Sequence, residues 1–156
     1  MHKLRIYIDT SVIGGCFDEE FAEWSNILFD EFREGKKIAV VSEIVLKELI
    51  NAPEIVKNKL NQIPLSNLTI LEVNKEIELL ADSYVNQSAI SNKFYDDALH
   101  IAISTFYNVD VLVSWNFKHI VNYDRIMKYN SINLMNGFRT IEIRNPKEVI
   151  SIDENF

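Results

Sequence analysis

The 156 residues carry a formal net charge of -7, with 47% hydrophobic and 25% charged residues and only four Gly and three Pro; this is a globular composition with little room for linkers, so residues 1–156 read as one domain. The negative balance argues against a broad basic surface for duplex nucleic acid, yet it suits a site that holds a cation among carboxylates. A lone Cys16 excludes an intrachain disulfide and a thiolate zinc site. Asp9 breaks the N-terminal apolar run too early for a secretory leader, and the longest uncharged run, residues 98–109, is too short to span a bilayer, so a cytoplasmic chain with no membrane segment is expected.

The elements alternate along the chain. Residues 4–8 (LRIYI) are rich in β-branched and aromatic types and predict a strand. Phe21, Trp24, Ile27, Leu28 and Phe32 recur at helical spacing and predict a helix over residues 21–34, stopped by Gly35. Residues 38–41 (IAVV) form a second buried strand, and Ser42 can cap a helix over 43–51 that ends near Pro53. A further helix is expected over 53–62, a short strand over 68–73, helices over 75–86 and 95–107, and a buried strand over 111–115 (VLVSW). A helix over 123–129 and an edge strand over 139–143 complete the chain. Strands separated by helices imply parallel βαβ units. Uniformly apolar strands fit an α/β fold with a sheet covered on both faces.

In such sheets ligands bind beyond the carboxyl ends of the strands. Asp9 follows the first strand directly, with the Thr10 and Ser11 hydroxyls beside it; a turn or helix cap is the competing explanation. Glu48 lies in the helix after the second strand. Glu43 is five residues away, on another face, and has a sufficient role at the positive end of the helix dipole. Asp96 and Asp97 open an otherwise apolar helix, D-D-A-L-H-I-A-I-S-T-F, where His100 reads as a satisfied histidine beside the core rather than a ligand. Asn116 holds the crevice position after VLVSW, followed by Lys118 and His119. His2, His100 and His119 share no metal-ligand spacing. Oxygen donors of this kind suit Mg²⁺ or Mn²⁺, which keep several waters and can activate one of them against a phosphate ester.

At this point the sequence resembles the PIN-domain family, including the VapC-type toxins of toxin–antitoxin pairs. The resemblance runs from I-Y-I-D-T-S-V-I to about Val121. I-D-T-S-V-I is similar to the first motif and places its acid on Asp9; V-S-E-I-V-L-K-E-L is similar to the second and places its glutamate on Glu48; D-D-A-L-H-I-A is similar to the third and places its aspartate on Asp97. The fourth position departs, since Asn116 stands where the family often has an acid, and the region after Tyr123 matches poorly. The resemblance implies Mg²⁺- or Mn²⁺-dependent cleavage of single-stranded RNA, with Asp9, Glu48 and Asp97 as metal residues and Asn116 completing the site. It also implies a three-layer α/β/α sandwich with a sheet of four or five parallel strands, a homodimer and, for a toxin, an antitoxin whose segment covers the site.

Substrate contacts are expected at the carboxyl end of the sheet, with Lys47, Lys93, Lys118 and His119 placed for them, whereas Lys36 and Lys37 fall at the opposite end in a solvated turn. Two rival readings stand beside the nuclease. One is a catalytically weak RNA- or protein-binding module on the same fold, motivated by Asn116. The other is a phosphotransferase with Asp9 as nucleophile, weakened because Ser11 stands where haloacid-dehalogenase-type phosphatases carry a second Asp.

Overall fold

The computed structural model describes residues 2–151; residue 1 and residues 152–156 of the expected domain lie outside the described residues. Five strands, β1 Arg5–Ile8, β2 Ile38–Ser42, β3 Leu68–Leu71, β4 Val111–Val113 and β5 Ile143–Arg144, form one parallel sheet in the order β3-β2-β1-β4-β5. The helices are α1 Thr10–Gly15, α2 Ala22–Arg33, α3 Glu43–Leu49, α4 Glu54–Leu60, α5 Lys75–Asn86, α6 Tyr95–Phe106, α7 Tyr123–Met135 and α8 Pro146–Val149. Tyr7 pairs with Val40 on one side and with Leu112 on the other, so β1 is central.

The sandwich follows from burial. Successive strand residues face opposite sides of a sheet. Ile6, Tyr7 and Ile8, and likewise Ala39, Val40 and Val41, are all fully buried, so both faces are covered. The chain builds outward from β1 through β2 to β3, then crosses back to place β4 on the other side of β1. The strand order therefore reverses between β1 and β4, and this switch point opens a crevice at the carboxyl ends of those two strands. No helix among the described residues is long and apolar enough to cross a membrane.

Most predicted elements are present, and the departures have local causes. Gly35 stops α2 as expected, with φ +74, a conformation only glycine adopts without strain. Helix α1 was not expected; it is six residues long, and Asp9 is its N-cap, so Asp9 fills the competing role as well as the crevice position. Helix α7 continues past Tyr129 to Met135. The expected edge strand over 139–143 shrinks to Ile143–Arg144. The Asn130 side chain captures the backbone of Ile141, donating to its carbonyl at 3.1 Å and accepting from its N–H at 2.8 Å. The backbone groups of residue 141 thus bond to α7 instead of to a neighbouring strand. At the amino end of β2, Lys36 is exposed and pairs with Glu34, but Lys37 is buried rather than solvated. Lys37 forms an ion pair with Glu31, and Ser151 completes the arrangement, its N–H and hydroxyl both donating to Glu31.

Candidate active site

Asp9 leaves β1 at the switch point, and its burial is nearly complete at 4% exposure. The Ser11 hydroxyl donates to Oδ1 at 2.6 Å, the Val12 N–H approaches the same oxygen at 3.3 Å, and the Ser114 hydroxyl donates to Oδ2 at 2.6 Å. Ser114 is the first residue after β4, so this last bond spans the crevice between the central strands. Ser11 Oγ in turn accepts the Trp115 N–H at 3.0 Å. Burial raises the Asp9 carboxyl above its ordinary range, against the lowering influence of His100 and these hydrogen bonds.

Glu48 reaches the crevice from α3. Its Oε1 lies 2.6 Å from Nε2 of His100, a residue of α6 that is 1% exposed. His100 Nδ1 lies 2.7 Å from the Tyr7 hydroxyl, itself 2.7 Å from the Ser42 hydroxyl that caps α3. This chain ties the ends of β1 and β2 to α6 and then to Glu48. Burial alone would raise Glu48, but the His100 hydrogen bond and charge hold it below the usual carboxylate range. Burial pushes His100 down, and Glu48, Asp9 and Asp97 together reverse that and raise it.

Asp97 stands in the first turn of α6, half-buried, whereas its neighbour Asp96 is exposed. Burial pushes the Asp97 carboxyl up to about 6; His100 opposes this, while Asp9, Glu48 and Asp96 add repulsion. Asn116 donates to Asp97 Oδ2 through Nδ2 at 3.2 Å. Its Oδ1 is turned away, accepting the N–H groups of Lys118 and His119 at 3.2 and 2.9 Å. Asn116 thus meets Asp97 as a hydrogen-bond donor, not with the carbonyl oxygen a metal would use.

The four residues singled out from the sequence therefore share one crevice, and three further groups could not be read from spacing. Ser114, Tyr7 and His100 are polar residues in otherwise apolar segments, which is the one signal that marked them. His100 is satisfied, as expected, but what satisfies it is Glu48. Lys47, Lys93 and Lys118 are exposed. His119 is not an open phosphate contact: its ring stacks on Phe94 at 3.8 Å, it is 7% exposed, and burial lowers its pKa.

Among the described residues no three His, Cys, Asp or Glu side chains converge closely enough to enclose an ion. The donor chemistry nonetheless fits a hard divalent cation. Asp9 and Glu48 add repulsion at Asp97, whose carboxyl is raised, and the Thr10 hydroxyl lies beside Glu48 as a further oxygen donor. Such a cation needs only one or two direct carboxylates and fills its remaining positions with water.

Residues 6–121 match the PIN domain family. Among solved structures the chain is similar to VapBC2 from Rickettsia felis bound to a DNA fragment from their promoter, at 18% identity and a TM-score of 0.59, covering 91% of this chain and 98% of that one. It is similar to FitAcB from Neisseria gonorrhoeae at 16% identity and a TM-score of 0.57, covering 92% and 99%. It is also similar to VapC20 of Mycobacterium tuberculosis, a Sarcin-Ricin loop cleaving toxin, at 12% identity and a TM-score of 0.56, covering 73% and 92%. No curated protein sequence matches.

Proposed function

Because the chain belongs to the PIN-domain family, we propose that it is a divalent-metal-dependent endoribonuclease for single-stranded RNA and the toxin of a toxin–antitoxin pair. The observation that carries the reading is the gathering of Asp9, Glu48 and Asp97 around one buried histidine at the switch point of the sheet. The Sarcin-Ricin loop cleavage named for VapC20 supports RNA as substrate, and the similarity to VapBC2 and FitAcB supports an antitoxin as partner. An antitoxin segment covering the crevice and a second copy of the chain are the partners proposed.

Asp9, Glu48 and Asp97 would hold Mg²⁺ or Mn²⁺, directly or through water. When bound, the ion supplies a more acidic water and positive charge beside the phosphate oxygens. The chain's own part is placement and charge. Ser11 and Ser114 fix both oxygens of Asp9. His100, held by Tyr7, fixes Glu48. Asn116 orients Asp97. The exposed Lys47, Lys93 and Lys118 attract the strand to the carboxyl end of the sheet.

The test is cleavage of an unstructured RNA with Mn²⁺, with chelator, and with Asp9→Asn. Cleavage that needs the metal and disappears in a folded Asp9→Asn chain is expected; equal cleavage in chelator, or by the variant, contradicts the reading. A second reading, an RNA- or protein-binding module without cleavage, is favoured by one observation: protein groups already occupy both oxygens of Asp9. Tight RNA binding with no Mn²⁺ uptake and no cleavage would establish it.

A further inference from the structure

Beside the acids lies a groove of about 470 Å³ bordered by Ser11, Gly14, Gly15, Asp18, Phe21, Trp115 and Asn116. Two of its walls belong to the candidate site: Ser11 donates to Asp9, and Asn116 donates to Asp97. A ligand running through the groove therefore meets the acids without a gap. The groove's own walls have a different chemistry. Phe21 lies on Trp115 with ring centroids 4.2 Å apart and planes inclined by 18°. Phe117, 47% exposed, lies outside the groove's lining and beside both rings at 6.3 and 6.1 Å.

The aromatic wall is rigid. Trp115 donates its backbone N–H to Ser11 Oγ at 3.0 Å and its indole N–H to Ser25 Oγ at 2.9 Å, and Ser25 donates to the Val12 carbonyl at 2.9 Å. Gly15 is needed for this packing. A Cβ there would lie 2.8 Å from both Ser25 Oγ and Trp115 Nε1. Gly14 differs, since a Cβ at that position meets nothing within 4 Å. Its missing side chain leaves the groove open rather than allowing a close approach within the protein.

Resting on the ribonuclease reading above, we propose that this groove is a subsite for one unpaired nucleobase of the RNA strand, next to the phosphate that is cut. The chemistry selects the base rather than the backbone. No Lys or Arg lines the groove, and Asp18 in its wall, followed by Glu19 and Glu20, repels phosphate. Trp115 is only 8% exposed and covered by Phe21, so half-buried Phe21 presents the aromatic surface of the groove. Such a surface suits the π-face of a base, which every base offers, so the contact tolerates sequence. A held base fixes the adjoining phosphodiester over the acids, and this converts loose electrostatic capture into an oriented substrate.

The probe is a short single-stranded RNA in which 2-aminopurine replaces one base at a time, mixed with the Asp9→Asn chain so that the strand is not cut. Quenching at one position near the scissile phosphate, with the other positions unchanged, is expected. Gly14→Leu fills the groove from an open position and should abolish that quenching and weaken binding about tenfold, the scale of one lost base stack. Phe21→Ala should act in the same direction. Because Phe21 also packs on Trp115, Gly14→Leu is the decisive variant. With Asp9 restored, Gly14→Leu should raise KM for RNA by a similar factor. Quenching that is absent at every position, or that survives Gly14→Leu in a chain that cuts RNA, overturns the groove alone. A chain that neither binds nor cuts RNA overturns the ribonuclease reading together with it.

Discussion

The two ends of the sheet both bury acids, and they treat them in opposite ways. At the amino end each acid has its counter-charge or donor: Glu31 meets Lys37 and Ser151, and Asp110 accepts from the Arg5 N–H at 2.7 Å and meets His2 at 2.8 Å. Burial pushes Glu31 up, but Lys37 and Ser151 outweigh it and the carboxyl is held down. At the carboxyl end Asp9, Glu48 and Asp97 share a single histidine, and two of the three carboxyls are pushed up. At the paired end each buried charge has a partner that offsets its desolvation. At the crowded end repulsion adds to burial at Asp97, and a bound cation would relieve it. Perturbed acids of the second kind are the pattern expected at a functional site, and the ribonuclease proposal rests on that pattern.

Breaking the crowded end should have the largest effect on activity. Asp9→Asn and Asp97→Asn are expected to reduce Mn²⁺-dependent cleavage by more than the roughly 10–100-fold that loss of an outer partner costs at metal sites. They should also leave the metal-free fold as stable as before or more so, because each removes one of the crowded charges. Asn can replace Asp at position 9 because the Ser114 hydroxyl can turn to accept from an amide. Asp96→Asn, at an exposed position, should cost little. Equal losses at 96 and 97 would mean that the third acid is misplaced.

The mirror experiment is Glu31→Ala at the paired end, which strands Lys37 at 6% exposure. Removing one partner of a buried pair costs about 3–5 kcal/mol, so the chain should melt markedly lower while the folded fraction cuts RNA normally. Loss of cleavage in the folded variant would show that the ends are coupled. Between these extremes lies His100→Gln. It removes the group that holds Glu48 and should cost roughly 10–100-fold in Mn²⁺ affinity, read by calorimetry, with Tyr7→Phe costing less.

The contrast also has a pH signature. In the folded chain Asp97 keeps its proton up to about 6, and Asp9 is raised as well, whereas unfolded carboxyls release theirs near 4. Over that interval the native state binds more protons, so stability increases as pH falls from 7 toward 5. His100 acts in the same sense: its folded pKa is raised, so its contribution is full at low pH and is lost as pH rises through that value. Glu31 and Glu48 are held down, so their contribution is present above about 4 and is lost below it. Metal-free protein should therefore melt highest near pH 5 and lower on both sides. Mn²⁺ should raise the melting temperature most at pH 7–8, where the acids are ionised. A melting temperature that climbs steadily from pH 5 to 8 without metal would contradict the crowding.

How much of this could be read from the sequence depends on how local the cause is. Apolar runs in β1, β2 and β4, the stop at Gly35 and the acids that follow or precede strands all follow from near neighbours. Those features led to the sheet, to Asp9 and Glu48 and to the pair Asp96 and Asp97, and the resemblance to the family chose Asp97 within that pair. What the sequence hid is set by partners far along the chain. Ser114 meets Asp9 across 105 positions, and His100 reaches Glu48 across 52. Lys37 looked like a turn lysine because Ser151, which helps bury it, lies 114 residues away. The edge strand failed for a nearer cause, a side chain competing for backbone bonds: Asn130 on α7 takes the bonds of residue 141 that a neighbouring strand would otherwise make.

The smallest expected effect sharpens the comparison at its most unusual residue. Asn116 stands where the family often has an acid, and here it donates to Asp97 while its oxygen caps the following turn. Asn116→Asp would keep that cap, since one carboxylate oxygen can still accept the Lys118 and His119 N–H groups. The other oxygen would face Asp97 in place of a donor, adding a fourth charge to the crowded end. Without metal this should raise Asp97 further and lower stability by about 1–3 kcal/mol, the usual cost of leaving a buried acceptor unsatisfied. With metal the sign reverses, because a hard cation gains more from a carboxylate than from an amide that offers it only N–H. At pH 8, well above the Asp97 value of about 6, both carboxylates are ionised and Mn²⁺ should bind several-fold more tightly, by roughly 1 kcal/mol. At pH 5 the gain should vanish, because the pair shares a proton. Calorimetric titration of Mn²⁺ at the two pH values decides it. Unchanged affinity at pH 8 would place residue 116 outside the reach of the ion and leave Asn116 only its hydrogen bond to Asp97.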